Sequence, residues 1–294
     1  MLSTYLKIFA STFLWGATWI SGRYLAPFMS PFSAGFLRFV AASLFLFAVI
    51  RLKDGKFPTL HRQDITGVLF LGLTGVFLYN ALFFSALQHI SASRASLIIA
   101  GTPAVISILS GVLFREKFHT LRIIGIFTSL IGVSLVITGG HYSDFLQEGF
   151  SYGDLCILGC VLSWAVYSIA GSKVTRRVPP VQAVAWSSLT GGLMLFPFAL
   201  NADLAQVISH ADITCWANLV FLGVFATGLA FTWYYEGLKA IGPTRTGIFI
   251  NFVPIFACIM AFLVLREPIG LGLITGGGLV IIGVYLTNRS TRKA

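Results

Sequence analysis

The chain has 294 residues, 56% of them hydrophobic and 10% charged, and its mean hydropathy is +0.87. A soluble domain carries about 25% charged residues, so this composition excludes a water-soluble globule and calls for lipid as solvent. The net charge of +10 comes in short clusters between apolar runs, which excludes a nucleic-acid-binding face and fits the loops of a multi-pass membrane protein.

A membrane-crossing helix needs about 20 mostly apolar residues. Runs of this kind lie near 8–26, 32–50, 65–86, 94–114, 121–139, 154–171, 181–200, 213–235, 245–265 and 270–288. They predict an all-α integral membrane protein with ten transmembrane helices and no room for a soluble catalytic domain. The first run lacks a small-residue cleavage site and reads as a retained span. An N-terminus in the cytoplasm puts every Lys and Arg there except Arg23, Arg38, Arg94 and Arg266. The positive-inside rule then predicts a bacterial inner-membrane protein with both termini cytoplasmic.

Polar and aromatic residues within the spans mark candidate pathway positions. In the first run Trp15, Thr18, Trp19 and Gly22 share one helical face. A face mixing Trp, hydroxyls and Gly suits a cavity for an amphiphilic solute, although helix packing and interfacial anchoring use the same residues. Arg38 lies in the second run, where a mid-span charge costs about 2.5–3.5 kcal/mol on insertion scales. Snorkelling to the interface is the cheaper way to hold it there, and it reads equally as a structural anchor or as a charge with a gating or substrate role. Tyr79 and Asn80 need polar partners in the third run, as does Asn251 in the ninth. Ser96 and Pro103 share a face of the fourth run with Ala100, and Gly247, Asn251 and Pro254 match them in the ninth. A proline inside a span frees a carbonyl, which is tolerated where it meets protein or lines a wet cavity. Trp164, Tyr167, Ser168 and Gly171 repeat the face of the first run in the sixth, and Trp233 and Tyr234 add polar tips near the end of the eighth. The four cysteines lie in or at the start of apolar runs and read as packing residues, with no metal site and no catalytic residue implied. The acids fall in loops or near span ends, so the pathway is expected to be uncharged and suited to neutral or zwitterionic solutes. The Arg115-Glu116 and Arg266-Glu267 pairs read as anchors and salt bridges at helix ends.

The chain repeats itself. A shift of 151 residues aligns Leu87 with Leu238, Arg94 with Arg245, Pro103 with Pro254, Arg115-Glu116 with Arg266-Glu267, and Gly125 and Gly132 with Gly276 and Gly283. A shift of 149 aligns Trp15 with Trp164 and Gly22 with Gly171. Residues 1–143 and 144–294 therefore each hold five spans, and the odd number turns the second copy over in the bilayer. Such an inverted-topology repeat is the architecture of many secondary transporters.

These features together resemble the EamA-type transporters of the drug/metabolite transporter superfamily. The marks are the Trp15-Gly16-Ala17-Thr18-Trp19 run, Phe36-Leu37-Arg38-Phe39, Ala86-Leu87 through Arg94, Thr102-Pro103, and Arg115-Glu116 followed by Gly125 and Gly132. The resemblance implies ten spans, a central cavity lined mainly by helices 1, 3, 4, 6, 8 and 9, and export of amino acids, metabolites or drugs. The first span lacks the membrane-buried Glu of small multidrug relatives, which argues against a cationic-drug antiporter. The leading expectation is a secondary transporter exporting small metabolites, acting as a monomer without cofactor. Uptake or exchange of a nucleotide derivative is the alternative. An intramembrane enzyme would need clustered His, Asp or Glu within the spans, and the five His lie in or beside loops. A non-transporting scaffold gives no reason for an inverted repeat.

Overall fold

The computed structural model describes residues 2–55, 57–114, 120–138, 150–241, 246, 249–250 and 252–290, and every regular element among them is helical. The first half consists of α1 (Leu2–Leu25), α2 (Pro31–Asp54), α3 (Arg62–His89), α4 (Ala92–Ile99), α5 (Thr102–Phe114) and α6 (Thr120–Thr138). The second consists of α7 (Tyr152–Val174), α8 (Pro180–Ala202), α9 (Leu204–His210), α10 (Ile213–Ile241), α11 (Phe252–Leu265) and α12 (Leu271–Ser290). Among the described residues α2, α3, α7, α8 and α10 are long and apolar enough to cross a membrane, and α11 and α12 are shorter apolar helices. Leu44, Phe127, Leu162 and Leu263 point outward from different helices, as side chains in contact with lipid do.

Local chemistry sets the helix ends. Pro31 and Pro180 open α2 and α8, where a missing N–H is no loss. Ser30 caps α2 by accepting the Ser33 N–H, and Gly55 ends it at φ 71°, a left-handed conformation that favours glycine. Ser151 and Asp154 form a reciprocal capping box at α7. Asp212 caps α10 by accepting the Cys215 N–H at 2.7 Å, and that bond holds its carboxyl below the usual range.

Two departures from regular helix are repeated. The fourth predicted span is broken between α4 and α5 at Ala100-Gly101, and Pro103 is the second residue of the restarted helix. In the ninth, Ile250 sits in a turn and Pro254 is the third residue of α11. Both prolines thus stand where a helix begins, not as kinks inside continuous spans. The second departure is a wide π-helical turn at Gly72–Leu78 in α3 and at Phe221–Leu229 in α10, positions that the 149- and 151-residue shifts superpose. The connection at 201–212, which reads as a loop in the sequence, contains the short helix α9.

The halves contact each other reciprocally. α1 packs on the second part of α10 and on α11, and α7 packs on the second part of α3 and on α4 and α5. α2 and α8 pack together, and each also meets the wide turn of the other half's third span. Phe36 stacks near Phe196 at 5.0 Å and Phe47 meets Trp186 at 5.1 Å, so α2 and α8 run antiparallel. α6 and α12 pack closely along their lengths. A Cβ on Gly125 would fall 2.6 Å from the Gly283 carbonyl oxygen, and one on Gly132 would fall 2.6 Å from that of Gly276. Each glycine meets the repeat partner of the other, the self-complementary pairing that a twofold axis produces.

This contact yields a test. Gly283→Val places side-chain atoms against the Ser129 backbone. It should destabilise the detergent-solubilised protein by about 1–3 kcal/mol. Gly278→Ala, at a position with open space around it, should melt with the parent in the same thermal assay.

Candidate functional site

A cavity of about 60 Å³ lies where α1, α2, α3, α7 and α10 meet the two helix breaks. α1 contributes Trp15, Thr18 and Trp19, and α3 contributes Tyr79 and Phe83. Trp164 enters from α7 and Phe231 from α10. Ile99 and Thr102 flank the first break, while Ile250 and Val253, their repeat partners at a shift of 151, flank the second. The repeat-equivalent Trp15 and Trp164 meet edge to face at 5.8 Å, so the cavity lies where the pseudo-twofold axis passes between the halves. At about 15 Å³ per water the space holds about four water molecules. Ligand pockets span about 300–1,000 Å³, so this cavity is small beside them.

The walls are aromatic and held in place. Trp15 packs against Phe231 at 5.4 Å and Tyr234 at 5.1 Å, and its indole N–H donates to the Ala226 carbonyl in the wide turn of α10. Trp164 packs against Tyr79 at 5.2 Å and Tyr167 at 5.3 Å. Trp19 leans on Phe83 at 4.9 Å. These contacts pre-set the rings as a cage for an apolar or amphiphilic body.

Arg38 also lines the cavity, and it does not snorkel. It is 3% exposed, and its Nε donates to Thr227 Oγ1 at 2.9 Å while Nη1 donates to Asn80 Oδ1 at 3.0 Å. The cavity is therefore not the uncharged one expected from the sequence. An isolated helix gives a mid-span Arg only the interface to reach, whereas the folded protein supplies two buried acceptors.

The other expected pathway residues fall into three groups. Trp15, Thr18, Trp19, Tyr79 and Trp164 line the cavity. Tyr167 and Tyr234 form a second layer behind the two tryptophans, and Asn80 stands behind Arg38. Ser96 is buried and donates to Ser93 O, and Ser168 Oγ is buried with no partner among the described residues. Trp233 is half-buried and does not line the cavity. Pro103 and Pro254 are buried beside the breaks, while Asn251, Gly247 and Arg245 lie outside the described residues. Sequence reasoning missed Phe83, Ile99, Thr102, Phe231, Ile250 and Val253. The two prolines, read as restart points, would have singled out the four that flank the breaks.

One end of the bundle is tied shut by polar contacts between elements. Asp203 accepts from Ser30 N at 2.7 Å and from Ser30 and Ser33 Oγ at 2.6 Å. Glu267 accepts from Ala92 N and Ser93 N at 3.0 Å and from Ser93 Oγ at 2.8 Å. Glu267 therefore caps α4 of the opposite half and is not the salt-bridge partner of Arg266; Arg115 and Glu116 lie outside the described residues. Arg94 forks onto Asp154 at 2.9 and 2.6 Å, and Arg23 bonds the Leu87 carbonyl. The opposite end carries the half-exposed Lys7–Glu236 pair at 2.9 Å.

Comparison with known proteins fits this architecture. The sequence profile of the EamA-like transporter family matches the chain twice, over residues 2–138 and 151–289. The chain belongs to this family. An "uncharacterized transporter YyaM" of Bacillus subtilis is 29% identical, over 96% of this chain and 92% of its own length. A Bacillus subtilis transporter named YetK is 26% identical, over 97% and 87%. A transporter of Archaeoglobus fulgidus is 29% identical, over 97% and 96%. A crystal structure matches with a TM-score of 0.67 at 21% identity, covering 99% of both chains, which establishes a shared fold. As a family member the chain is a multi-pass membrane transporter.

The closed end can be probed at Asp154, whose side chain is fully buried while Arg94 is 29% exposed. Asp154→Ala breaks a largely buried, bidentate ion pair together with a capping box. A loss of about 3–5 kcal/mol in thermal stability is expected, with Lys7→Ala, at the half-exposed pair, nearly silent in the same measurement.

Proposed function

We propose that this chain is a secondary transporter that exports small amino-acid-like solutes by alternating access. The observation that carries the reading is the meeting of Trp15 and Trp164, equivalent residues of the two halves, inside one shared aromatic cavity. In this reading the ten predicted spans form two five-span halves, 1–143 and 144–294, in opposite orientations. The antiparallel pairing of α6 with α12 and of α2 with α8 supports it. Two such halves can exchange conformations, which gives a carrier one state open to each side. The distribution of Lys and Arg supports cytoplasmic termini in a bacterial inner membrane. The tied end, holding Asp203, Glu267 and the Arg94–Asp154 pair, then faces outward, so the cavity is shut off from the exterior. Without a Gly-rich phosphate-binding loop, exchange or a solute or proton gradient is the supported energy source. We take the monomer as the working unit, with a small solute and the lipid bilayer as its partners.

The reading is tested by reconstitution. Purified protein in liposomes should speed the counterflow of radiolabelled amino acids over protein-free vesicles. Trp164→Ala should lower the rate by about tenfold or more, since a buried aromatic contact contributes on the order of 1.5–3 kcal/mol. A well-folded protein that moves no solute across a broad panel would sink the assignment.

A further inference from the structure

Arg38 carries a charge that the described protein leaves uncompensated. It is 3% exposed at the cavity wall, and both of its partners, Asn80 Oδ1 and Thr227 Oγ1, are neutral. Neither partner is there by accident of rotamer. The Asn80 amide donates to Val76 O, in the wide turn of α3. The Thr227 hydroxyl donates to Leu222 O, five residues back in the wide turn of α10. Their protons are committed, so both oxygens must face Arg38 as acceptors. The guanidinium has five N–H donors in a rigid fork. Nη2 has no partner among the described residues, and the Phe39 ring centroid lies 5.4 Å from Cζ.

The described acids that make contacts are engaged elsewhere. Asp154 is paired with Arg94, Glu236 with Lys7, Asp203 with Ser30 and Ser33, and Glu267 with Ala92 and Ser93. No ion pair to Arg38 forms among the described residues. The repeat sharpens the point. A shift of 149 places Ser187 opposite Arg38, a neutral residue whose hydroxyl bonds Val184 O and Tyr167. The fold thus accommodates a neutral residue at this position, and one half alone carries the charge.

We infer that Arg38 is the anchor for a carboxylate on the transported solute, and that it makes this carrier selective for small carboxylic acids, amino acids among them. This rests on the transport reading above. A buried guanidinium fork with a free edge matches the two oxygens of a carboxylate. A phosphate ester would bring a second charge, and the described lining supplies one cation only. The aromatic walls take the apolar part of the solute, with the Thr18 and Thr102 hydroxyls beside it. A purely structural Arg38, tying α2 to α3 and α10, would affect every solute alike.

The experiment measures counterflow in proteoliposomes for a panel of amino acids and 2-oxo acids, each beside its carboxamide. Thermal melting of every variant in detergent checks the fold. At least one acid should be carried while its amide is not. Arg38→Met should lower that acid's transport by about thirtyfold or more, as truncation of a buried charge-paired group does, and should abolish the preference for acid over amide. Arg38→Lys, which keeps the charge without the fork, should retain the preference with a raised KM. Should Arg38→Met fail to fold, a melting shift of the unmodified protein by an acid, and not by its amide, serves as the readout. Equal handling of acid and amide by both transport and melting overturns the carboxylate anchor while leaving transport intact. A folded parent that carries nothing in the panel overturns the transport reading and this inference with it.

Discussion

Hydrocarbon offers an apolar helix nothing that another helix's leucines do not also offer. Association inside a bilayer therefore has to come from close backbone approach and from polar groups that lipid cannot satisfy. The two halves of this chain are held by both. Gly125, Gly132, Gly276 and Gly283 bring α6 and α12 together until backbone touches backbone. Asp203, Glu267 and Asp154 reach from one half to orphan donors or a cation in the other. These contacts give each half polar partners that it would otherwise lack, and so tie the two together.

The same constraint decides where irregular backbone is allowed. The breaks at Ala100-Gly101 and Ile250, and the wide turns of α3 and α10, leave carbonyls without their usual partners. In lipid-facing positions each would be a heavy penalty. Here they gather around the shared cavity, and side chains take up the slack: Trp15 bonds Ala226 O, Asn80 bonds Val76 O and Thr227 bonds Leu222 O. The residues that line the cavity and those that repair the backbone are thus largely neighbours, and in Asn80 and Thr227 the repair also positions Arg38.

The sequence disclosed the large-scale plan because that plan is written in composition. Apolar runs gave the helices, and paired landmarks such as Pro103 with Pro254 gave the repeat. The aromatic face of α1 was legible because Trp15, Thr18 and Trp19 stand out against aliphatic neighbours. Ile99, Thr102, Ile250 and Val253 did not, since an isoleucine beside a helix break looks like any lipid-facing isoleucine until the break is seen. Ser96 stands out as polar in the sequence, and in the structure its hydroxyl donates to Ser93 O one turn before the break. The choice between an anchoring and a pathway role for Arg38 was not legible in the sequence, because its acceptors lie 42 and 189 residues away.

The lone arginine opposite a serine has a further consequence. If the halves trade shapes, the geometry of the resting carrier is reproduced with its labels swapped, but the electrostatics are not. Asn80 belongs to the same half as Arg38 and Thr227 to the other, so one of the two bonds lies within a half and the other crosses between the halves. The two end states of the empty carrier are then unequal in energy. Under the alternating-access proposal, that inequality amounts to an inherent polarity, a preferred resting side.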